Sequence, residues 1–189
     1  MNEPKKQLRY AAFESVRHTR AVKSLAFEDL KILAKSPCIL KPANDSKQAI
    51  QQAKNSLEVL APHDAPEKQK QAVQQHNQMT MLWIDIDEGD HSLSVILVQL
   101  HNLDIQSYIV HSTYTATPDK RKWRVLIEIS QSLDVVTWQK MQKALVKLFP
   151  GADDAATRIQ QIMFLPAKQS NEAFYQYHIG HGQPWEVSQ

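Results

Sequence analysis

The apolar positions of this chain fall into two regimes that meet near residue 79. Before it, apolar residues recur at helical intervals in a background rich in Gln and Lys. Val22, Leu25, Leu30 and Leu33 predict an early helix. Ser46 or Asp45 can cap a second, whose apolar positions Ile50, Ala53, Leu57 and Leu60 repeat until Pro62. Pro66 suits the first turn of a third that runs through Gln75. Residues 1–79 therefore read as an α-rich subregion with few strands.

After Gln78 the period changes. TMLWIDID predicts a strand ended by Gly89, and HSLSVILVQLHNL sets Leu93, Ile96, Leu97 and Leu100 on one helical face with Asp90 placed to cap it. Two strands follow, IQSYIVHSTYT and KWRVLIEIS, joined by the turn-rich ATPDKR. Asp134 caps a helix carrying Val135, Trp138, Met141, Leu145 and Leu148, which Pro150-Gly151 stops. QQIMFLPA and EAFYQYHIG predict two more strands. The order strand, helix, strand, strand, helix, strand is the split βαβ plan of ferredoxin-like and RNA-recognition (RRM) folds, which polymerase palms share. An α+β chain is expected: a mainly antiparallel palm over 80–189 behind the helical 1–79, the palm's fourth strand lying antiparallel beside its first.

Composition alters this picture little. The apolar and charged fractions are those of a globular protein, and no apolar run approaches the roughly 18 residues of a membrane span. MNEPKKQLRY lacks a signal-peptide core, and the single cysteine, Cys38 in PCIL, reads as a small hydrophobe, so a cytoplasmic protein is expected. The net charge of +2 selects no partner, but its distribution is uneven. Lys5, Lys6, Arg9, Arg17, Arg20 and Lys23 crowd the start, and Lys120, Arg121, Lys122 and Arg124 a later turn. The first cluster equally suits a solvated helix face.

The strand Trp83-Ile84-Asp85-Ile86-Asp87 alternates, which sets both carboxylates on one face and both isoleucines on the other. Two like charges about 7 Å apart on one strand face repel unless a cation sits between them. Hard oxygen donors on a rigid strand suit Mg²⁺ or Mn²⁺. An isolated Asp-x-Asp also marks a solvent-facing strand end beside Glu88, Gly89 and Asp90. A third carboxylate, Asp153 or Asp154, lies in the loop that the expected topology brings near Asp87. Two metals about 4 Å apart would align an attacking hydroxyl and stabilise a leaving pyrophosphate.

In KWRVLIEIS, Lys122 and Arg124 share one face while Trp123, Val125, Ile127 and Ile129 take the other. Cations held at a sheet surface can meet a triphosphate or a template backbone. His111, Ser112, Thr113, Tyr114 and Thr115 add an imidazole and hydroxyls on the preceding strand; His111 equally suits a partly buried hydrogen-bonding role.

Three segments together resemble the archaeo-eukaryotic primase (AEP) superfamily, in particular the primase-polymerase domains of phage and plasmid replication proteins. LWIDID is similar to its first acidic motif. HSTYTATPDKRKWRVLI resembles the hydroxyl-rich strand, turn and basic strand of phage members. ADDAATRIQQIMFLP resembles the last motif, an Asp ten residues before a Met in an apolar strand ending in Pro, which selects Asp153 over Asp154. The resemblance covers about residues 80–167. It implies two-metal nucleotidyl transfer onto a 3′-hydroxyl on a single-stranded DNA template, with Asp85, Asp87 and Asp153 as ligands of Mg²⁺ or Mn²⁺. It also implies His111, Thr113, Lys122 and Arg124 as contacts to the nucleoside triphosphate.

One departure stands out: many members carry Ser-x-His where this chain has Lys122-Trp123-Arg124, a pair that phage relatives often share. A non-catalytic DNA-binding replication-initiation module of the same fold is thus a second reading, and a metal-dependent nuclease a third. No G-x-x-x-x-G-K-[ST] occurs, so a replicative helicase is expected in trans or in a further C-terminal region. His178 and His181 lack a second ligand pair for zinc. Phe174, Tyr175 and Tyr177 are expected in a strand packed on the helical half, with base stacking as the alternative.

Overall fold

The computed structural model describes residues 7–187, so Lys5 and Lys6 of the first basic cluster lie outside them. In chain order the elements are β1 (Tyr10–Phe13), β2 (Lys23–Leu25), α1 (Phe27–Lys35), β3 (Cys38–Ile39), α2 (Lys47–Asn55), β4 (Val59–Leu60) and α3 (Lys70–His76). There follow β5 (Met79–Ile86), α4 (Leu93–Asn102), β6 (Ser107–Ser112), β7 (Trp123–Leu133), α5 (Val135–Leu148), β8 (Met163–Phe164), β9 (Ala167–Lys168) and β10 (Tyr177–His181). The expected α+β class with antiparallel sheets is present. No helix among the described residues is long and apolar enough to cross a membrane.

One sheet runs β10–β6–β7–β5 and a second β2–β1–β4–β8, while β3 and β9 form a parallel pair. The second sheet corrects two expectations. Helical spacing in the first 79 residues overstates the helices: Val22 and Leu25 flank or join β2, and the helix capped by Ser46 ends at Asn55, leaving Leu57 and Leu60 outside it. Val59 and Leu60 become a strand because both neighbours, β1 and β8, offer backbone partners and bury them completely. The helix expected from Pro66 begins only at Lys70. The second correction concerns the palm's last strand. Met163–Phe164 pairs with β4, not with β5, so the expected fourth strand leaves the main sheet for the N-terminal one.

A different segment takes that place on β5. Gly151–Asp153 runs antiparallel along its outer edge: Asp87 N–H donates to Gly151 O (3.1 Å), Asp153 N–H to Asp85 O (2.8 Å), and Ile86 bridges Ala152. Further down that edge the Trp138 indole donates to Met81 O (2.7 Å), and the Gln142 amide both donates to Trp83 O and accepts from Trp83 N–H. An exposed strand edge is thereby closed by α5 and by the segment that follows it. Gly151 makes the approach feasible: its φ is +76°, and a Cβ there would stand 2.1 Å from Glu88 O.

Capping follows the sequence in part. Asp134 accepts from Val136 and Thr137 N–H at the start of α5, and Ser46 from Ala49 N–H at α2. Asp90 does not cap α4, whose N-cap is Ser92. Its carboxylate instead receives the Arg121 guanidinium and backbone N–H, tying the β6–β7 turn to the end of β5. Cys38, read as a small hydrophobe, is exposed. The core is continuous across the chain, with Tyr10, Phe27 and Leu30 from the first stretch meeting Trp83, Ile84, Trp123, Val125 and Trp138.

Candidate active site

The strand register assembles the site. Asp85 stands opposite Arg124 on β7, and Arg124 opposite His111 on β6, so the three side chains form a row across one face of the sheet. Ile84 and Ile86 point the other way and are fully buried, as alternation requires. The row continues to Tyr177 on β10, which pairs with His111.

Both carboxylates meet cations. Arg124 Nη2 donates to Asp85 Oδ2 (2.6 Å) and its Nη1 to Phe164 O (2.8 Å); Lys122 Nζ donates to Asp87 Oδ1 (3.0 Å). The first pair is enclosed, the Arg124 side chain being 6% exposed and that of Asp85 18%. The second is open, at 21% and 40%. Arg124 also lies over Trp83, its Cζ 5.8 Å from the ring centroid.

His111 is buried, and burial, reinforced by the Arg124 cation, pushes its imidazole down to about 3. It is therefore neutral near pH 7. Its Nδ1 faces Ser112 O at 2.9 Å and must donate, which leaves Nε2 as a lone-pair acceptor. That Nε2 has no partner among the described residues. Neither have the buried Asp85 Oδ1, Arg124 Nε and Thr113 Oγ1. Unpaired buried polar atoms are costly singly and uncommon. Here the four sequence-selected residues His111, Thr113, Asp85 and Arg124 each hold one.

Asp153 is brought to the site by its backbone. The register through Ile86 and Ala152 sets it opposite Asp85, where paired Cβ atoms are typically about 5 Å apart. Its carboxylate, however, turns to accept from Ala155 N–H (2.8 Å) as the cap of a single 3-10 turn, Asp154–Thr157. Among the described residues no three His, Cys, Asp or Glu side chains are gathered as a metal cage. The donor chemistry nevertheless fits a hard divalent cation: two carboxylates share a face, one with an orphaned buried oxygen, and a third adjoins on the bridged segment.

Two further side chains lie close to this face. Tyr175 stacks on His111 with ring centroids 6.3 Å apart and donates its hydroxyl to Ala34 O at the end of α1. Lys54 of α2 carries its Nζ 5.0 Å from the Phe164 ring centroid. Tyr175, expected in a strand packed on the helical half, lies outside β10 but reaches that half through Ala34; Lys54 has no local motif, and only the docking of α2 reveals it. Two cavities of about 610 Å³ each lie elsewhere, beside Gln7, Leu8 and Ser130. They are lined by none of these residues.

No family model matches the sequence, and no curated protein is similar to it. The sheets and their covering helices have the fold of a known primase-polymerase AEP domain. The chain is similar to the AEP domain of the primase-polymerase (PrimPol) of cyanophage S-2L, with a TM-score of 0.54 and 16% identity, over 97% of this chain and 86% of that one. The likeness is one of fold.

Proposed function

We propose that this chain is a primase-polymerase-type nucleotidyltransferase that adds nucleotides to a 3′-hydroxyl on single-stranded DNA. The observation that carries the reading is the row Asp85–Arg124–His111, with an unpartnered buried polar atom on each member. Such a row offers a carboxylate oxygen, a guanidinium N–H and a neutral imidazole acceptor to one ligand that bears both donors and anionic oxygens. A nucleoside triphosphate beside a metal ion has that mixture.

Asp85, Asp87 and Asp153 would hold Mg²⁺ or Mn²⁺, which when bound supplies electrostatic stabilisation of the transferred phosphoryl group. Lys122 and Arg124 neutralise the carboxylate face and present N–H donors to phosphate oxygens. His111 and Thr113 border the nucleotide from β6. In this reading residues 80–189 are the catalytic palm and residues 1–79 its accessory subregion. Phage or plasmid DNA replication, with a helicase in trans or in a further C-terminal region, is the setting that the family resemblance implies.

Primer extension on a single-stranded template with Mg²⁺ or Mn²⁺ tests this. Asp85→Asn and Asp87→Asn are expected to lower incorporation by roughly 100-fold or more while the circular dichroism spectrum is unchanged. Synthesis at the wild-type rate by either variant would contradict the proposal.

The two ion pairs favour a second reading, a DNA-binding module whose carboxylates only orient Lys122 and Arg124. It requires salt-dependent DNA affinity that survives both Asp changes and weakens in Lys122→Ala. No incorporation by the wild-type chain, together with that pattern, would select it.

A further inference from the structure

The cations around the carboxylates are not equivalent. Lys122 is engaged by Asp87, and Arg124 by Asp85 and the Phe164 carbonyl. Lys54 arrives from the other half of the chain, in the last turn of α2. Ile50, Ala53 and Leu57 pack α2 against Phe164 and Tyr114, and Lys54, four residues after Ile50, follows that docked face. Its Nζ stands over the ring of the same Phe164 whose carbonyl holds Arg124. Among the described residues it makes no ion pair and donates no hydrogen bond. Burial, and after it repulsion from Arg124, disfavours its charged form, while Asp85 and Asp87 offset part of that. Two of these three cations are thus engaged by carboxylates, and the third, over the Phe164 ring beside Arg124's carbonyl partner, has all its N–H donors unassigned.

We propose that Lys54 is a phosphate-binding residue of this site, its ammonium holding the polyphosphate tail of the nucleotide. Helix α2 thereby adds, from the N-terminal stretch, a cation to a site otherwise built by β5–β7. The identity of the anion rests on the nucleotidyltransferase reading. A triphosphate is favoured over the phosphodiesters of DNA because a half-buried ammonium over the Phe164 ring suits a compact, multiply charged end group better than an extended backbone.

The full chain, with Lys54→Met and Lys54→Arg, tests this by calorimetric affinity for inorganic tripolyphosphate and dATP, both without divalent metal, and for a single-stranded oligonucleotide. Lys54→Met is expected to weaken tripolyphosphate and dATP binding about tenfold and to leave oligonucleotide affinity unchanged, with Lys54→Arg close to wild type. Tripolyphosphate affinity unchanged in Lys54→Met, or a loss confined to the oligonucleotide, overturns the proposal. So does a lowered melting temperature with intact polyphosphate binding, which would make Lys54 a packing residue on Phe164. If Lys54→Met does not fold, Lys54→Gln takes its place under the same criteria. Lys54-dependent tripolyphosphate binding without template-directed incorporation would sink the polymerase reading alone. Incorporation with Lys54-independent binding would sink only this one.

Discussion

Arg124 and Lys122 lie two residues apart on one strand, each on a carboxylate, yet their surroundings set very different energies. The Arg124–Asp85 pair is nearly enclosed and bonded on both sides, so removing the guanidinium leaves a largely buried charge alone. Arg124→Ala is expected to lower unfolding free energy by about 3–5 kcal/mol, and Lys122→Ala, at an open pair, by no more than about 1 kcal/mol. Urea denaturation of the two variants checks this. Equal losses would mean that the burial difference does not govern the pairs. Alternation alone put Lys122 and Arg124 on one face of their strand; that this is the carboxylate face follows from the β5–β7 register. That Arg124 would be committed to the Phe164 carbonyl was not legible in the sequence, because Phe164 reaches it only by leaving the main sheet.

At the level of elements, the outer edge of β5 decides where Asp153 lies. Gly151 accepts from Asp87 and Glu88 N–H, and only a residue without Cβ at φ +76° fits against Glu88. Gly151→Ala should push the segment off β5, destabilise the chain by about 1–3 kcal/mol, and accelerate amide exchange at Asp87 and Asp153. Exchange rates left as in the wild type would show that the segment does not depend on that approach. Gln142→Leu tests the neighbouring closure. It strands the Trp83 N–H and C=O in the core, and a loss of about 1–3 kcal/mol in thermal unfolding is expected. The expected nearness of the loop after α5 to the carboxylates is met by this edge segment, although the strand expected to create it pairs elsewhere.

Across the whole molecule, two buried imidazoles link stability to pH. His111 is held at about 3 and His63, by burial and then by its neighbour His76, at about 4, both below the roughly 6.5 of an unfolded chain. Between these values the unfolded state binds more protons. Stability is therefore full above about pH 6.5 and falls as pH drops towards 4, by up to about 1.4 kcal/mol per pH unit for each histidine. Urea midpoints at about pH 7.5 and pH 5 should fall accordingly. The drop should be smaller in His63→Asn, whose side-chain oxygen can still accept from Ala65 N–H in place of Nδ1. An identical drop in that variant would remove His63 from the account.

What the sequence determined by itself is whatever depends on neighbours along the chain. The strand period put Asp85 and Asp87 on one face, helical spacing and Asp134 set α5, and the mix of strand and helix periods set the α+β class. The tertiary structure alone decided the pairings between distant segments: β4 with β8, Gly151–Asp153 on β5, and Lys54 over the Phe164 ring. Short apolar pieces such as Val59–Leu60 carry too few residues to display a period, and become strands only when two distant partners supply their hydrogen bonds. The orphaned atoms of Asp85, His111, Thr113 and Arg124 arise in the same way, from side chains buried together by segments far apart in sequence.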